Sequence, residues 1–166
     1  MYSMWLSEDE HELWRAYLDM TGRLQIAMQR QLHDACGMTL ADYDVLVALS
    51  ESGSVRINDL GATLGWEQSR LSHQLRRMRQ RDLVSRVATS DDGRGACVGL
   101  TEAGRRQLKT AAPGHAELVR SVVFDGMTDA QARALGQWTS TVLERLGPTG
   151  TKILDPKSPI AEPTRR

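Results

Sequence analysis

Apolar residues recur at intervals of three and four through most of this chain and at intervals of two in one short stretch. Leu13, Tyr17, Met20, Leu24 and Met28 predict a long amphipathic helix that ends near Cys36-Gly37. Ser7, with Glu10 three residues later, has the spacing of a capping box at its start. Thr39 with Asp42 opens a second helix carrying Tyr43, Leu46, Val47 and Ser50, and the turn cluster Ser52-Gly53-Ser54 stops it. Ile57, Leu60 and Leu64 mark a short third helix ended by Gly65, and Glu67 begins a fourth that reaches about Arg81.

After Leu83 the period becomes two. Val84, Arg86 and Ala88 alternate with Ser85, Val87 and Thr89, and beyond an Asp-Gly turn Cys97, Gly99 and Thr101 alternate with Ala96, Val98 and Leu100. This pattern predicts a β-hairpin. Thr101 caps a fifth helix running to about Asp125, with a kink expected at Pro113-Gly114. Thr128 and Gln131 open a sixth, whose stripe is Leu135, Trp138, Val142 and Leu146. Four of the five prolines lie from Pro148 onward, so 148–166 reads as a disordered tail. The expected fold is mainly α with a small β-hairpin wing (α+β), a winged helix-turn-helix with one helical segment left over at each end.

Charge sharpens this picture. Lys+Arg and Asp+Glu both number 21 in the 166 residues, so the net charge is formally zero. Between Arg70 and Arg86, however, six arginines face one acid, Asp82, for 6 − 1 = +5, while Ser7 to Glu12 holds four acids and no Lys or Arg. Screening over about 8 Å makes a polyanion respond to the local patch rather than to the distant sum. With about 100° per residue and Ser69 at zero, Leu71, Leu75 and Met78 fall roughly between 180° and 240°. Ser69, Arg70, His73, Gln74, Arg77, Gln80 and Arg81 fall roughly between 0° and 140°. The polar face carries arginine and no lysine, which suits bidentate contacts to guanine edges and phosphates. A short helix and a turn, Gly65 to Glu67, precede it, as they precede a recognition helix. Arg94 at the hairpin tip is placed to probe a narrow minor groove, and Asp92 to shape the turn or hold that guanidinium.

Other chemistries lack their residues. Cys36 and Cys97 are too few for a disulfide scaffold and form no C-x-x-C. No pair among His11, His33, His73 and His115 has ligand spacing with the cysteines, so no metal and no cofactor is expected. No G-x-S-x-G or H-E-x-x-H occurs, and Gly61-x-x-x-Gly65 lacks the Lys-Ser/Thr of a phosphate-binding loop, so the chain is not expected to be an enzyme. No apolar run approaches the roughly 20 residues needed to span a bilayer, and the N-terminus is acidic where a signal peptide is basic. The expectation is a cytoplasmic protein without a membrane partner.

The segments DDGRGACVGLTEAG, SRLSHQLRRMRQRDLVSR and LADYDVLVALSESG resemble the wing, recognition helix and preceding helix of the MarR (multiple-antibiotic-resistance regulator) family of transcription factors. The resemblance spans about residues 8 to 147. APGHAELVRSVVFDGMT, with 18 arginines against three lysines overall, is similar to an actinobacterial subgroup. It implies a MarR-type domain over 1–147, with dimerisation helices at 8–36 and 102–147 and a DNA-binding lobe at 39–101. The expected function is a sequence-specific regulator, a repressor bound as a homodimer to a pseudo-palindromic operator in double-stranded DNA. Leu13, Leu135, Trp138, Val142 and Leu146 would bury across the two-fold axis, although a monomer covering that stripe internally fits the spacing equally well. The resemblance puts Ser69, Arg70, His73 and Arg77 at recognition positions and Asp92 and Arg94 in the wing; Arg70 and His73 are expected to face bases, and Ser69, Arg77 and Arg86 phosphates. Gly93 and Gly95 flank Arg94 where the family often has further basic residues.

The resemblance further implies release by a small aromatic or phenolic effector, with Trp14, Tyr17 and Tyr43 as walls and Arg15, His115 and Arg120 as polar partners. Two alternatives stand beside this reading. One is a helical dimeric interaction protein of the same fold that no longer reads DNA; the other is a redox-sensing regulator using Cys36 or Cys97.

Overall fold

The computed structural model describes residues 5–87 and 97–147. Asp92 and Arg94, expected at the wing tip, and the expected disordered tail lie outside the described residues.

Helix α1 spans Glu8–Cys36, and its capping box forms as the spacing predicts. The Glu10 amide donates to Ser7 Oγ at 3.3 Å and the Ser7 amide to the Glu10 carboxylate at 2.7 Å. Helix α2, Leu40–Ser52, opens on the equivalent Thr39–Asp42 box. A short strand β1, Val55–Arg56, leads into α3, Ile57–Leu64, and α4, Gln68–Gln80. The turn between α3 and α4 passes through Gly65 at φ 63°, a left-handed conformation in which glycine escapes the Cβ clash.

Strands β2, Val84–Val87, and β3, Cys97–Leu100, form the expected hairpin, with Val84 opposite Leu100 and Val87 opposite Cys97. The sheet has a third strand, because β1 pairs antiparallel with the other edge of β3, giving the order β1-β3-β2. Two residues are too few to show a period of two, so β1 has no sequence signal of its own.

Helix α5, Glu102–Val119, is capped by Thr101, whose Oγ accepts from the Gly104 amide at 2.9 Å. Gly104 sits so close to the link between α4 and β2 that a Cβ there would lie 2.0 Å from the Leu83 carbonyl oxygen. Regular helix does not break at Pro113, which lies within α5; the departure is a π-helical turn at Arg120–Phe124. A wide turn interrupts the i to i−4 ladder as a proline does. Helix α6, Asp129–Leu146, follows from a Thr128–Gln131 capping box.

The core belongs to the central lobe. Val45, Leu46 and Leu49 of α2, Leu60 and Leu64 of α3, Leu71, Leu75 and Met78 of α4, and Val84 and Val98 of the sheet close on one another. Leu32 near the end of α1 and Ala111 of α5 complete the same cluster. Outside it, α1 and α6 leave large apolar side chains exposed. Leu13 is 72% exposed, Leu135 41%, Trp138 46% and Leu146 69%, and α6 contributes no buried residue. Most of the stripe is therefore left exposed by the single chain. Val142 is half-buried.

Candidate nucleic-acid interface

Helix α4 is held by one face and free on the other. Leu71, Leu75 and Met78 are at most 2% exposed, which fixes the rotation of the helix about its own axis. Ser69, Arg70, His73, Arg76 and Arg77 consequently point outward, and Arg86 stands exposed on β2, the strand that follows α4. A rigid helix with guanidinium, imidazole and hydroxyl groups on its outer surface has the dimensions and donors of a major-groove reader.

Gln74 is a correction. Grouped by angle with the outward face, it is instead 7% exposed and donates from Nε2 to Asp42 Oδ1 at 2.6 Å. Its angle of roughly 140° lies only about 40° from the apolar stripe, and a buried acceptor beneath the helix draws it inward.

That acceptor is the hub of a buried network. Asp42, 0% exposed, accepts at Oδ2 from Arg81 Nη1 at 2.7 Å and from the Thr39 amide at 2.9 Å. Arg81 also donates from Nη2 to the Gly37 carbonyl at 3.3 Å. Burial alone pushes the Asp42 carboxyl up, but hydrogen bonds from Thr39 and Arg81, with the Arg81 charge, hold it below its ordinary value. One carboxylate thus ties the start of α2 to both the middle and the end of α4, and Arg81 ties α4 to the end of α1. Arg81, like Gln74, is committed to the fold.

Arg70, at the outer surface, is not loose either. Its Cζ lies 4.3 Å from the centre of the Trp66 ring, and Trp66 itself packs against the core. Asp44 of α2 feels the same guanidinium: burial pushes its carboxyl up to about 6, and the Arg70 charge opposes that rise.

The six effector candidates do not meet in one place. Trp14 and Tyr17 stack at 5.6 Å, and Tyr17 meets Trp138 of α6 edge-on at 5.5 Å. Tyr43 and His115 meet at 4.4 Å between α2 and α5. A Cβ on Gly114 would lie 2.6 Å from Gln31 Nε2, which puts His115 at the level of Gln31 on α1. Trp14 is then roughly 25 Å away along that helix, at 1.5 Å per residue. Arg15 is exposed, and Arg120 pairs with Glu117 at 3.6 Å on the surface. Among the described residues two buried side-chain atoms, Gln31 Oε1 and His115 Nδ1, have no hydrogen-bond partner, and burial pushes the His115 imidazole down, toward the neutral form. As for the cysteines, the half-buried Cys36 thiol donates to the Leu32 carbonyl at 3.1 Å and Cys97 is buried in the sheet.

Three helices, a turn and a three-stranded sheet around one core, with a basic helix face turned outward, define a winged helix-turn-helix protein. The chain belongs to the MarR family of transcriptional regulators. The family's profile matches residues 37–95. A MarR family transcriptional regulator from Streptomyces coelicolor, solved in complex with DNA, is 33% identical and superposes with a TM-score of 0.81 over 92% of this chain and 96% of its own. AbsC, another MarR family regulator of that organism, is also 33% identical, with a TM-score of 0.82 over 87% of this chain and 98% of its own. YfiV, an uncharacterised HTH-type transcriptional regulator of Bacillus subtilis, is 25% identical over 131 residues, 76% of this chain and 79% of its own. Among the described residues no helix is long and apolar enough to cross a membrane.

Sequence reasoning missed Trp66, Asp44 and the Asp42 hub. Trp66 and Arg70 are four residues apart across the turn into α4, a separation short enough for their side chains to meet, so that signal was present. Asp42 announced itself only as half of a capping box, and nothing local reveals that its second oxygen face serves α4.

Proposed function

We propose that this chain is a cytoplasmic, homodimeric repressor that reads a pseudo-palindromic operator in double-stranded DNA through α4. The observation that carries the reading is the outward face of that helix, where Ser69, Arg70, His73 and Arg77 stand exposed on a backbone locked from beneath. Arg70 and His73 face base edges; Ser69, Arg77 and Arg86 face phosphates, and Asp92 and Arg94 belong to the wing. The S. coelicolor relative solved on DNA supports this, being alike over nearly the whole chain.

Residues 39–101 form the DNA-binding lobe, and 8–36 with 102–147 form the dimerisation region. The exposed stripe of Leu13, Leu135, Trp138 and Leu146, with half-buried Val142, supports burial against a second copy. Release by a small aromatic or phenolic effector is supported by the Tyr43–His115 pair, where two buried polar atoms lack partners and an apolar ring can be covered.

The test is selection of bound sequences from a random duplex library by the purified protein at near-physiological salt. A pseudo-palindrome with half-sites about one helical turn apart is expected. A folded protein that recovers no motif overturns the reading in favour of a dimer that no longer reads DNA.

A further inference from the structure

We propose that Trp66, in the turn before the recognition helix, is a positioning residue that holds the Arg70 guanidinium in the pose used to read a base. The inference rests on the DNA-reading role proposed above, and its basis is geometric. Arg70 Cζ lies 4.3 Å from the indole centroid, within the range of an attractive cation–π contact. Trp66 is half-buried and packed against the core, so the platform does not move with solvent. Two backbone restraints fix its place: Gly65 turns in the left-handed region, and the Trp66 amide donates to the Gly61 carbonyl at 3.0 Å.

A free arginine samples many rotamers, and a bidentate bond to a guanine edge requires one planar orientation. Ordering such a side chain on binding opposes affinity. A ring face beneath the guanidinium carries out that ordering beforehand while leaving its N–H edges to bond outward. The half-buried Asp44 carboxylate of α2 also feels the Arg70 charge. Trp66 therefore touches no base in this account and acts through Arg70 alone.

The experiment compares wild type, Trp66→Phe, Trp66→Leu, Arg70→Ala and the double variant Trp66→Leu/Arg70→Ala. Two readouts are used: the dissociation constant on the selected operator against random duplex, and the NMR shift of the Arg70 Nε–H. In wild type the ring current moves that proton upfield whether or not DNA is present. Trp66→Leu abolishes the shift and weakens operator binding by about two- to five-fold, with random duplex unaffected, as loss of one exposed cation–π contact implies. Trp66→Phe keeps most of both. In the Arg70→Ala background Trp66→Leu has no further effect, because the residue it serves is gone.

Equal losses from Trp66→Leu with and without Arg70 overturn the proposal and assign Trp66 to packing alone. So does an Arg70 proton at its ordinary shift in wild type. If wild type selects no operator while the upfield shift is present, the DNA-reading role itself has failed, and the proposed use of the stacked arginine falls with it.

Discussion

Replacing Asp42 by Ala removes the acceptor on which the placement of α4 depends. Gln74, 7% exposed, is left with a buried amide that bonds to nothing, at a cost of about 1–3 kcal/mol. The Thr39 amide loses its share of the capping box, roughly another 0.5 kcal/mol. Arg81 adds little, because its side chain is 37% exposed and returns to water, so no uncompensated charge stays buried. The sum is about 1.5–3.5 kcal/mol, at the low side of what breaking a fully buried pair costs. Urea denaturation should show a midpoint lowered by about 1–2 M with an unchanged slope. Asp42→Asn, which keeps one acceptor and the shape, should lose less. Because hydrogen bonds hold the Asp42 carboxyl below its ordinary 3.8, its contribution is present above that pH and disappears as pH falls through the lower folded value. The gap between wild type and Asp42→Asn should accordingly close in acid. An Asp42→Ala protein within about 0.5 kcal/mol of wild type at neutral pH would refute the network as a stabilising element.

Asp44 has the opposite sign. With a folded value near 6, above its ordinary 3.8, it weakens the fold as pH rises between them, so Asp44→Asn should stabilise by about 1 kcal/mol at pH 7 and not at all below pH 4; a pH-independent difference would contradict this. Gly104→Ala drives a methyl into the Leu83 carbonyl and should lower stability by about 3 kcal/mol or more, read as a drop in Tm that Gly136→Ala, at an open site, does not share. Trp138→Asp should yield monomers by sedimentation and weaken operator binding together; a variant that stays dimeric would move the interface away from α6. Arg70→Ala should cost roughly 1–3 kcal/mol on the operator and relax base preference, while Arg77→Ala should weaken all sequences alike and flatten the salt dependence by about one contact; identical behaviour of the two would undo their division into base and phosphate roles.

The helices were legible because their start signals are local. Ser7–Glu10, Thr39–Asp42 and Thr128–Gln131 each form the reciprocal bonds that their spacing announces. The hairpin was legible for the same reason, being an alternation around one turn. What escaped depends on partners distant in sequence. β1 exists because β3 offers a free edge, Gln74 turns inward because Asp42 lies 32 residues away, and the Tyr43–His115 pair forms because α2 and α5 pack. Trp14 and Tyr43 were grouped as walls of one pocket by the family resemblance, and the distance along α1 separates them.

Helix α1 runs 29 residues, about 43 Å, and its last turns lie inside the same core that seats α4. In the proposed dimer this makes α1 a long beam, pivoting where the two copies cross and bearing a reading head at its far end. A tilt of about 5° at the pivot moves the head by roughly 4 Å, slightly more than the 3.4 Å separating neighbouring base pairs. A tilt of that size at such a pivot would put the two heads out of step with an operator by a whole base pair.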